Sequence, residues 1–233
     1  MLRPRLVENQ IYHVLNRGVD KRNVFMDNED RMRFIHDIFE FNDKAPALNL
    51  AYHVGRPNSK EVGLPNIKRE PRKLLLEILA FCLMKNHFHL LVKPRTDDAL
   101  TVFMRKLGTG YTNYFNQKYE RSGALFEGIY KAVPVEREVH FVHLPYYIHL
   151  NPLDLVTPKW REGEVKDYKK AMKFLENYRW SSYLDYIGKK NFPSVTQREF
   201  LSEFFNGPEE YKKDTIKWLK EIDLEQVKHL TLE

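Results

Sequence analysis

The sequence predicts an α+β domain, an antiparallel-rich sheet covered by helices, followed by a helical C-terminal extension. Three observations lead there. Short apolar segments with strand character recur at residues 11–15, 74–84, 87–92 and 125–135. Segments with helical spacing stand between them, so strands and helices are mixed along the chain. Beyond residue 190 only helical patterns remain.

Taken in order, Ile11-Tyr12-His13-Val14-Leu15 reads as a first strand that ends in the polar turn Asn16-Arg17-Gly18. Asp27-Asn28-Glu29-Asp30 supplies capping residues for a helix carrying Met32, Phe34, Ile35, Ile38, Phe39 and Phe41. From about Ala45 to Arg72 there are four prolines and two glycines without periodicity, which predicts a long inserted loop. Leu74 to Met84 is an apolar strand of central type, and after the break Lys85-Asn86 the strand His87 to Val92 pairs with it. Thr96-Asp97-Asp98 begins a helix running to about Tyr119, with Gly108 and Gly110 in its middle. Gly costs a helix interior roughly 1 kcal/mol relative to Ala. Leu125 to Val135 is a further strand and Glu136 to Asn151 a helix kinked at Pro145. Helices over Trp180–Ile187, 196–206 and 208–222 complete the chain.

Composition bounds the function. The 233 residues are 42% hydrophobic and 30% charged, typical of a globular chain. No apolar run approaches the ~20 residues of a membrane helix, and no apolar stretch follows the basic N-terminus, so a cytoplasmic protein without membrane contact is expected. One cysteine, Cys82, excludes an internal disulfide framework and any multi-cysteine zinc site. The net charge is +6, and its placement is uneven. Arg56 to Lys106 holds eleven Lys or Arg against five Asp or Glu, while Thr196 to Glu233 holds six against nine. A polyanion is therefore drawn to the middle of the chain and away from its end.

His87 and His89 flank Phe88, so on a strand both imidazoles face one way and form half of a divalent-metal site. An incidental His-x-His is the competing reading. No His-Glu-x-x-His helix is present. His143, Tyr147 and Asn151 lie four apart, so on a helix they share a face and could place Tyr147 and Asn151 at the metal. A core tyrosine and a helix C-cap are the plainer readings of those two. Thr101 to Arg121 interleaves cations with Tyr111, Tyr114, Phe115 and Tyr119, a pattern that suits single-stranded nucleic acid or an amphipathic helix with a buried aromatic face. Arg17, Lys85, Arg105, Lys106, Arg121 and Lys131 are the candidate contacts for a nucleic-acid backbone.

An ordered set of blocks joins these residues. Tyr12-His13-Val14-Leu15-Asn16-Arg17-Gly18, Met84-Lys85-Asn86-His87-Phe88-His89-Leu90-Leu91-Val92, Tyr114-Phe115-Asn116, Arg121 to Phe126, Tyr147-Ile148-His149-Leu150-Asn151-Pro152 and Trp180-Ser181-Ser182-Tyr183 follow one another. Together they resemble the single-tyrosine transposases of the HUH superfamily, in particular the REP-associated branch, from about Tyr12 to Gly188.

The resemblance implies a ferredoxin-like sheet with the His-hydrophobic-His motif at its centre. It makes Tyr147 the catalytic nucleophile, and His87, His89 and Asn151 the ligands of Mg²⁺ or Mn²⁺. It implies single-stranded DNA with a hairpin as partner, a monomer or homodimer, and cleavage through a 5′-phosphotyrosine. The expected organisation is a transposase domain over residues 1–190, with the inserted loop at about 45–72, and an extension over 191–233. A domesticated hairpin binder that does not cut, and a nuclease acting through metal-bound water, are the alternatives. The sequence departs from the family's pattern at Glu127 and Ile129, where Gln and Arg are common, and at Leu153-Asp154, where Val-Arg is usual.

Overall fold

The computed structural model describes residues 5–46 and 71–221, so most of the expected 45–72 loop lies outside the described residues. The core runs β1 (Tyr12–Arg17), α1 (Asn28–Phe41), β2 (Leu76–Leu83), β3 (His87–Pro94), α2 (Ala99–Lys118) and β4 (Lys131–Pro134). The sheet order is β2-β3-β1-β4, with every neighbouring pair antiparallel. Helix α1 brings the chain back so that β2 runs parallel to β1, one strand-width away, and β3 fills the gap by a tight hairpin. Helix α2 repeats the move from β3 to β4. This is the ferredoxin-like arrangement.

Strand alternation divides the core into two layers. Tyr12 and Val14 of β1 and Phe88, Leu90 and Val92 of β3 join Phe34 and Ile38 of α1 and Phe103, Leu107 and Tyr111 of α2. Leu91, Cys82 and Met84 point to the other face, against α3 (Glu138–Leu150). That second layer is completed by α4 (Tyr168–Leu175), α5 (Tyr183–Tyr186), α6 (Glu199–Phe204) and α7 (Pro208–Lys220), which contribute Leu175, Tyr186, Leu201, Tyr211 and Leu219. A register shift between Ile78 and Ala80 lets Leu79 and Ala80 both join this layer, as one extra residue in a strand does.

Caps set the helix starts. The Asp27 carboxylate accepts from Asp30 N (2.9 Å) at the head of α1, and Asp167 accepts from Lys170 N (2.9 Å) at the head of α4. Helix α4 has no counterpart among the expected elements, although Asp167 is an ordinary N-cap signal. Several expected elements are shorter than read, the helix over 196–206 spanning only Glu199–Phe204. The strand expected from Leu125 is confined to Lys131–Pro134; before it the chain turns at Gly123 and Gly128, both at positive φ. The helix expected from Trp180 begins only at Tyr183.

The shortening at Trp180 has a clear cause. β2, expected as a central strand, is an edge strand, and Trp180 to Ser182 line its open side: Leu83 N donates to Trp180 O (2.8 Å) and Ser182 N to Phe81 O (3.0 Å). Gln197 continues the seal, its side chain accepting from Ile78 N (2.8 Å) while its own N–H donates to Ile78 O (2.9 Å). Backbone groups that would otherwise template another chain are thereby satisfied. Behind Ser182 the fully buried His149 ring lies 2.7 Å from Ser182 Oγ and 2.6 Å from Tyr211 Oη. Burial brings the His149 pKa down to about 3, so the ring is neutral and ties α7 to α3 and β2.

Among the described residues no helix is long and apolar enough to cross a membrane.

Candidate active site on the histidine face of the sheet

The register of β1 against β3 sets Arg17 opposite His87, Leu15 opposite His89 and His13 opposite Leu91. Phe88 enters the opposite layer, as alternation requires. Arg17, His13, His87 and His89 thus share the face covered by α3.

Each strand histidine has its Nδ1 engaged within the protein. His87 Nδ1 lies 2.7 Å from Asn86 Oδ1. The Asn86 amide is oriented by its other end, where Nδ2 donates to the Lys21 carbonyl (3.1 Å). An amide oxygen only accepts, so His87 Nδ1 carries the proton and the lone pair of the neutral ring sits on Nε2. His89 Nδ1 lies 2.9 Å from His13 Nε2; both rings are fully buried and nearly parallel, meeting edge to edge with centroids 5.2 Å apart. The His87 and His89 rings stand nearly perpendicular, centroids 4.9 Å apart.

Helix α3 carries Tyr147 onto this group. Its ring meets His89 edge-on at 6.1 Å and His13 at 6.2 Å, and it is fully buried. Tyr147 and the expected pair of histidines therefore come together in the fold. Among the described residues no three His, Cys, Asp or Glu assemble as a metal site; the expected donors are the two imidazoles and the Asn151 amide.

Asn151 closes α3 and continues into a 3-10 turn, Asn151–Leu155. Its Nδ2 donates to the Tyr147 carbonyl (2.9 Å), the capping role that its place before Pro152 suggests. Its Oδ1, the atom a metal would need, accepts from Arg161 Nη2 at 2.6 Å. The Arg161 guanidinium also pairs with Asp154, which accepts from Trp160 Nε1 (2.6 Å). It lies 4.7 Å from the Trp160 ring centroid and 5.6 Å from that of Tyr147. Asp154, the residue that departs from the usual Val-Arg pair, thus holds a cation delivered from seven residues on.

The six expected DNA contacts divide into two groups. Arg17 is opposite His87, Lys85 is exposed in the β2–β3 turn beside it, and Lys131 is exposed in the cross-strand row that runs through Leu15 to His89. Arg105, Lys106 and Arg121 belong to α2 and its end, on the other layer. There Lys106 Nζ donates to the Asp43 and Ala45 carbonyls (2.5 and 2.8 Å), and desolvation lowers its pKa. Arg121 donates to Asn116 Oδ1 (2.6 Å) and the Ala124 carbonyl (2.9 Å), holding the turn after α2. Arg105 is exposed at the rim of a cavity of about 330 Å³ between α2 and residues 124–130. Tyr111, Tyr114 and Phe115 pack with the core, the amphipathic reading of that segment.

Sequence reasoning missed His13 and Arg161. The signal for His13 was its place two residues before Leu15 on a strand that turned out to adjoin β3. Arg161 gave no local signal, since it reaches Asn151 across a turn and a 3-10 helix.

Residues 66–151 match the family model described as "Transposase IS200 like". Among solved structures, one described as "Structure of the REP associates tyrosine transposase bound to a REP hairpin" shares 13% sequence identity, with 84% of this chain and 89% of that chain covered and a TM-score of 0.49. No curated protein matches the chain. Over residues 66–151, the stretch containing His87, His89, Tyr147 and Asn151, the chain is similar to the IS200-like transposases.

Proposed function

We propose that this protein is a transposase that cleaves and rejoins single-stranded DNA at hairpin or repeat elements in the cytoplasm. The observation that carries the reading is the meeting of Tyr147 with His89 and His13 on one sheet face, within the segment that matches the transposase family. The transposase domain spans residues 1–190 in this reading, and residues 191–233 are its extension.

The Tyr147 hydroxyl attacks the scissile phosphorus, the phosphotyrosine bond forms, and the bond to the 3′ oxygen breaks. The proton lost by the phenol is balanced by the one gained at the 3′-hydroxyl. Because one phosphoester replaces another, the step reverses and a second strand can be joined. A phenol with a pKa near 10 is a weak nucleophile at neutral pH and requires an activated target. His87 and His89 would hold a divalent ion, Mg²⁺ or Mn²⁺, through Nε2, with Asn151 Oδ1 as third donor once released from Arg161. Such an ion polarises the phosphate and offsets the charge that develops on it. Arg17, Lys85 and Lys131 hold the backbone on the histidine side.

A second reading, a hairpin binder that does not cut, is favoured by the full burial of Tyr147 and by the guanidinium on Asn151. Cutting requires the α3 end and the Asn151–Arg161 cap to open so that a phosphate reaches the hydroxyl. One experiment separates the two. Wild-type protein and Tyr147→Phe are incubated with labelled single-stranded hairpin DNA and Mg²⁺, then run on a denaturing gel and, separately, on a native one. The transposase reading expects a covalent adduct for the wild type only, with native-gel binding by both. Binding without any wild-type adduct establishes the second reading; an adduct that survives in Tyr147→Phe removes Tyr147 as nucleophile.

A further inference from the structure

His13 contacts the candidate ligand His89 and has no role in the reading above. It is fully buried, its ring lies nearly parallel to that of His89, and its Nε2 lies 2.9 Å from His89 Nδ1. Two imidazole nitrogens at that distance share one proton: one ring donates and the other accepts. The direction decides which nitrogen of His89 can bind an ion. If His13 donates, His89 keeps its own proton on Nε2 and cannot ligate through it. If His89 donates through Nδ1, its Nε2 carries the lone pair.

His87 provides the comparison. There the acceptor is Asn86 Oδ1, and the bond from Asn86 Nδ2 to the Lys21 carbonyl leaves no ambiguity about direction. At both positions on this face of β3, Nδ1 has a partner within the protein. Ligating histidines generally use their second nitrogen in this way, which fixes both tautomer and ring orientation.

We propose that His13 is a positioning residue of the metal centre, accepting the His89 Nδ1 proton through Nε2 and so presenting His89 Nε2 to the ion. The inference deepens the metal reading above and rests on it. His13 holds its own proton on Nδ1 in the neutral pair. Its location on β1, the strand that pairs with β3 along its whole length, makes the orientation part of the sheet itself. The two rings lie nearly in one plane, inclined by 17° and joined edge to edge through the 2.9 Å contact, so turning the His89 ring breaks that bond.

The test uses the full-length chain freed of metal, with Mn²⁺ alone as probe. Two-bond ¹H–¹⁵N correlations of the imidazoles read the tautomers directly; the expected pattern is a proton on Nδ1 of both His89 and His13. A proton on His89 Nε2 overturns the proposal. Mn²⁺ affinity is then measured by calorimetry for the wild type, His13→Leu, His13→Gln and His89→Ala. His13→Leu loses about 10- to 100-fold, the usual effect of removing an outer partner. His13→Gln keeps an amide oxygen within reach of His89 Nδ1 and stays within roughly threefold of the wild type. Wild-type affinity in His13→Leu, or equal losses in Leu and Gln, overturns the positioning role while leaving the metal reading standing. A wild type that binds no better than His89→Ala overturns both. Should His13→Leu fail to fold, the wild-type tautomers and the Gln variant still decide the matter.

Discussion

Replacing Arg161 by Met should weaken the fold and tighten metal binding at once, and the two effects can be worked from the same contacts. Asn151 Oδ1 is fully buried and accepts from Arg161 at 2.6 Å, so the variant leaves a buried acceptor without its charged donor. That costs about 1–3 kcal/mol. The guanidinium over Trp160, at 4.7 Å, contributes roughly 0.5–1 kcal/mol; its contact with Tyr147, at 5.6 Å, is near the limit of the effect and contributes less. The Asp154 pair adds little, because both side chains are about a quarter exposed and Trp160 Nε1 still serves the carboxylate. Met retains much of the apolar stem. The loss is therefore about 2–4 kcal/mol, or roughly 5–15 °C in the thermal midpoint of a chain this size. In the metal reading the same change frees the Asn151 oxygen and removes a competing cation, so Mn²⁺ affinity rises. A gain of about 1.4 kcal/mol is tenfold. Differential scanning fluorimetry and calorimetric Mn²⁺ titration measure the two. A midpoint within about 1 °C of wild type would show that the Arg161–Asn151 bond carries no weight in the fold. A fall in Mn²⁺ affinity would refute the competition and make Arg161 a supporter of the site.

Two further tests address the frame around the site. Glu176 bonds Lys189 and Lys212, each at 2.8 Å, which holds its pKa below the ordinary 4.5 and links the end of α4 to α7. A depressed carboxyl pKa gives stability that is present above the unfolded value and lost as pH falls through the folded one. Glu176→Gln should then lower urea stability at pH 7 by about 1 kcal/mol or less at low salt, the pairs being partly exposed, and the difference from wild type should vanish well below pH 4.5; an equal difference at both ends of the range would refute the ionic account. Gly108 and Gly110 both sit in α2, but a Cβ on Gly108 meets nothing within 4 Å, whereas one on Gly110 falls 2.5 Å from the Phe41 ring. Gly108→Ala should raise the thermal midpoint by about 1–4 °C through helix propensity alone. Gly110→Ala should show no gain, and a rise equal to that of Gly108→Ala would mean that Phe41 moves aside freely.

The parts of this molecule legible in the sequence are those with local causes. Period-two alternation put His87 and His89 on one face and Phe88 on the other, and the four-residue spacing put Tyr147 and Asn151 on one helix side; both follow from backbone geometry. The turn before β3 and the cap of α1 were visible for the same reason. The misread stretches had competing local signals that the tertiary structure resolved. Trp180-Ser181-Ser182 has no strand pattern of its own, and its backbone bonds the open edge of β2 instead of starting a helix. Leu125 to Tyr130 is apolar enough for a strand, yet Gly123 and Gly128 at positive φ turn it into a loop beside α2.

The site itself marks the boundary between local and long-range information. Spacing places the motif residues on shared faces and the resemblance makes a ligand set of them, but the groups that orient those residues come from elsewhere in the chain. His13 reaches His89 across 76 residues of sequence, and Arg161 reaches Asn151 only through the path that Pro152 to Trp160 happens to take. Both contacts depend on one atom's choice of partner: which nitrogen His89 donates from, and whether the Asn151 oxygen faces a guanidinium. The same choices decide whether the face presents an ion site or a closed core. Arg161 on Asn151 and Tyr147 at full burial describe the closed arrangement; in the metal reading His87 and His89, each with a protein partner at Nδ1, are already oriented for an ion. The energetic burden of opening then falls on the Asn151–Arg161 cap and the end of α3, since the strand histidines need not move.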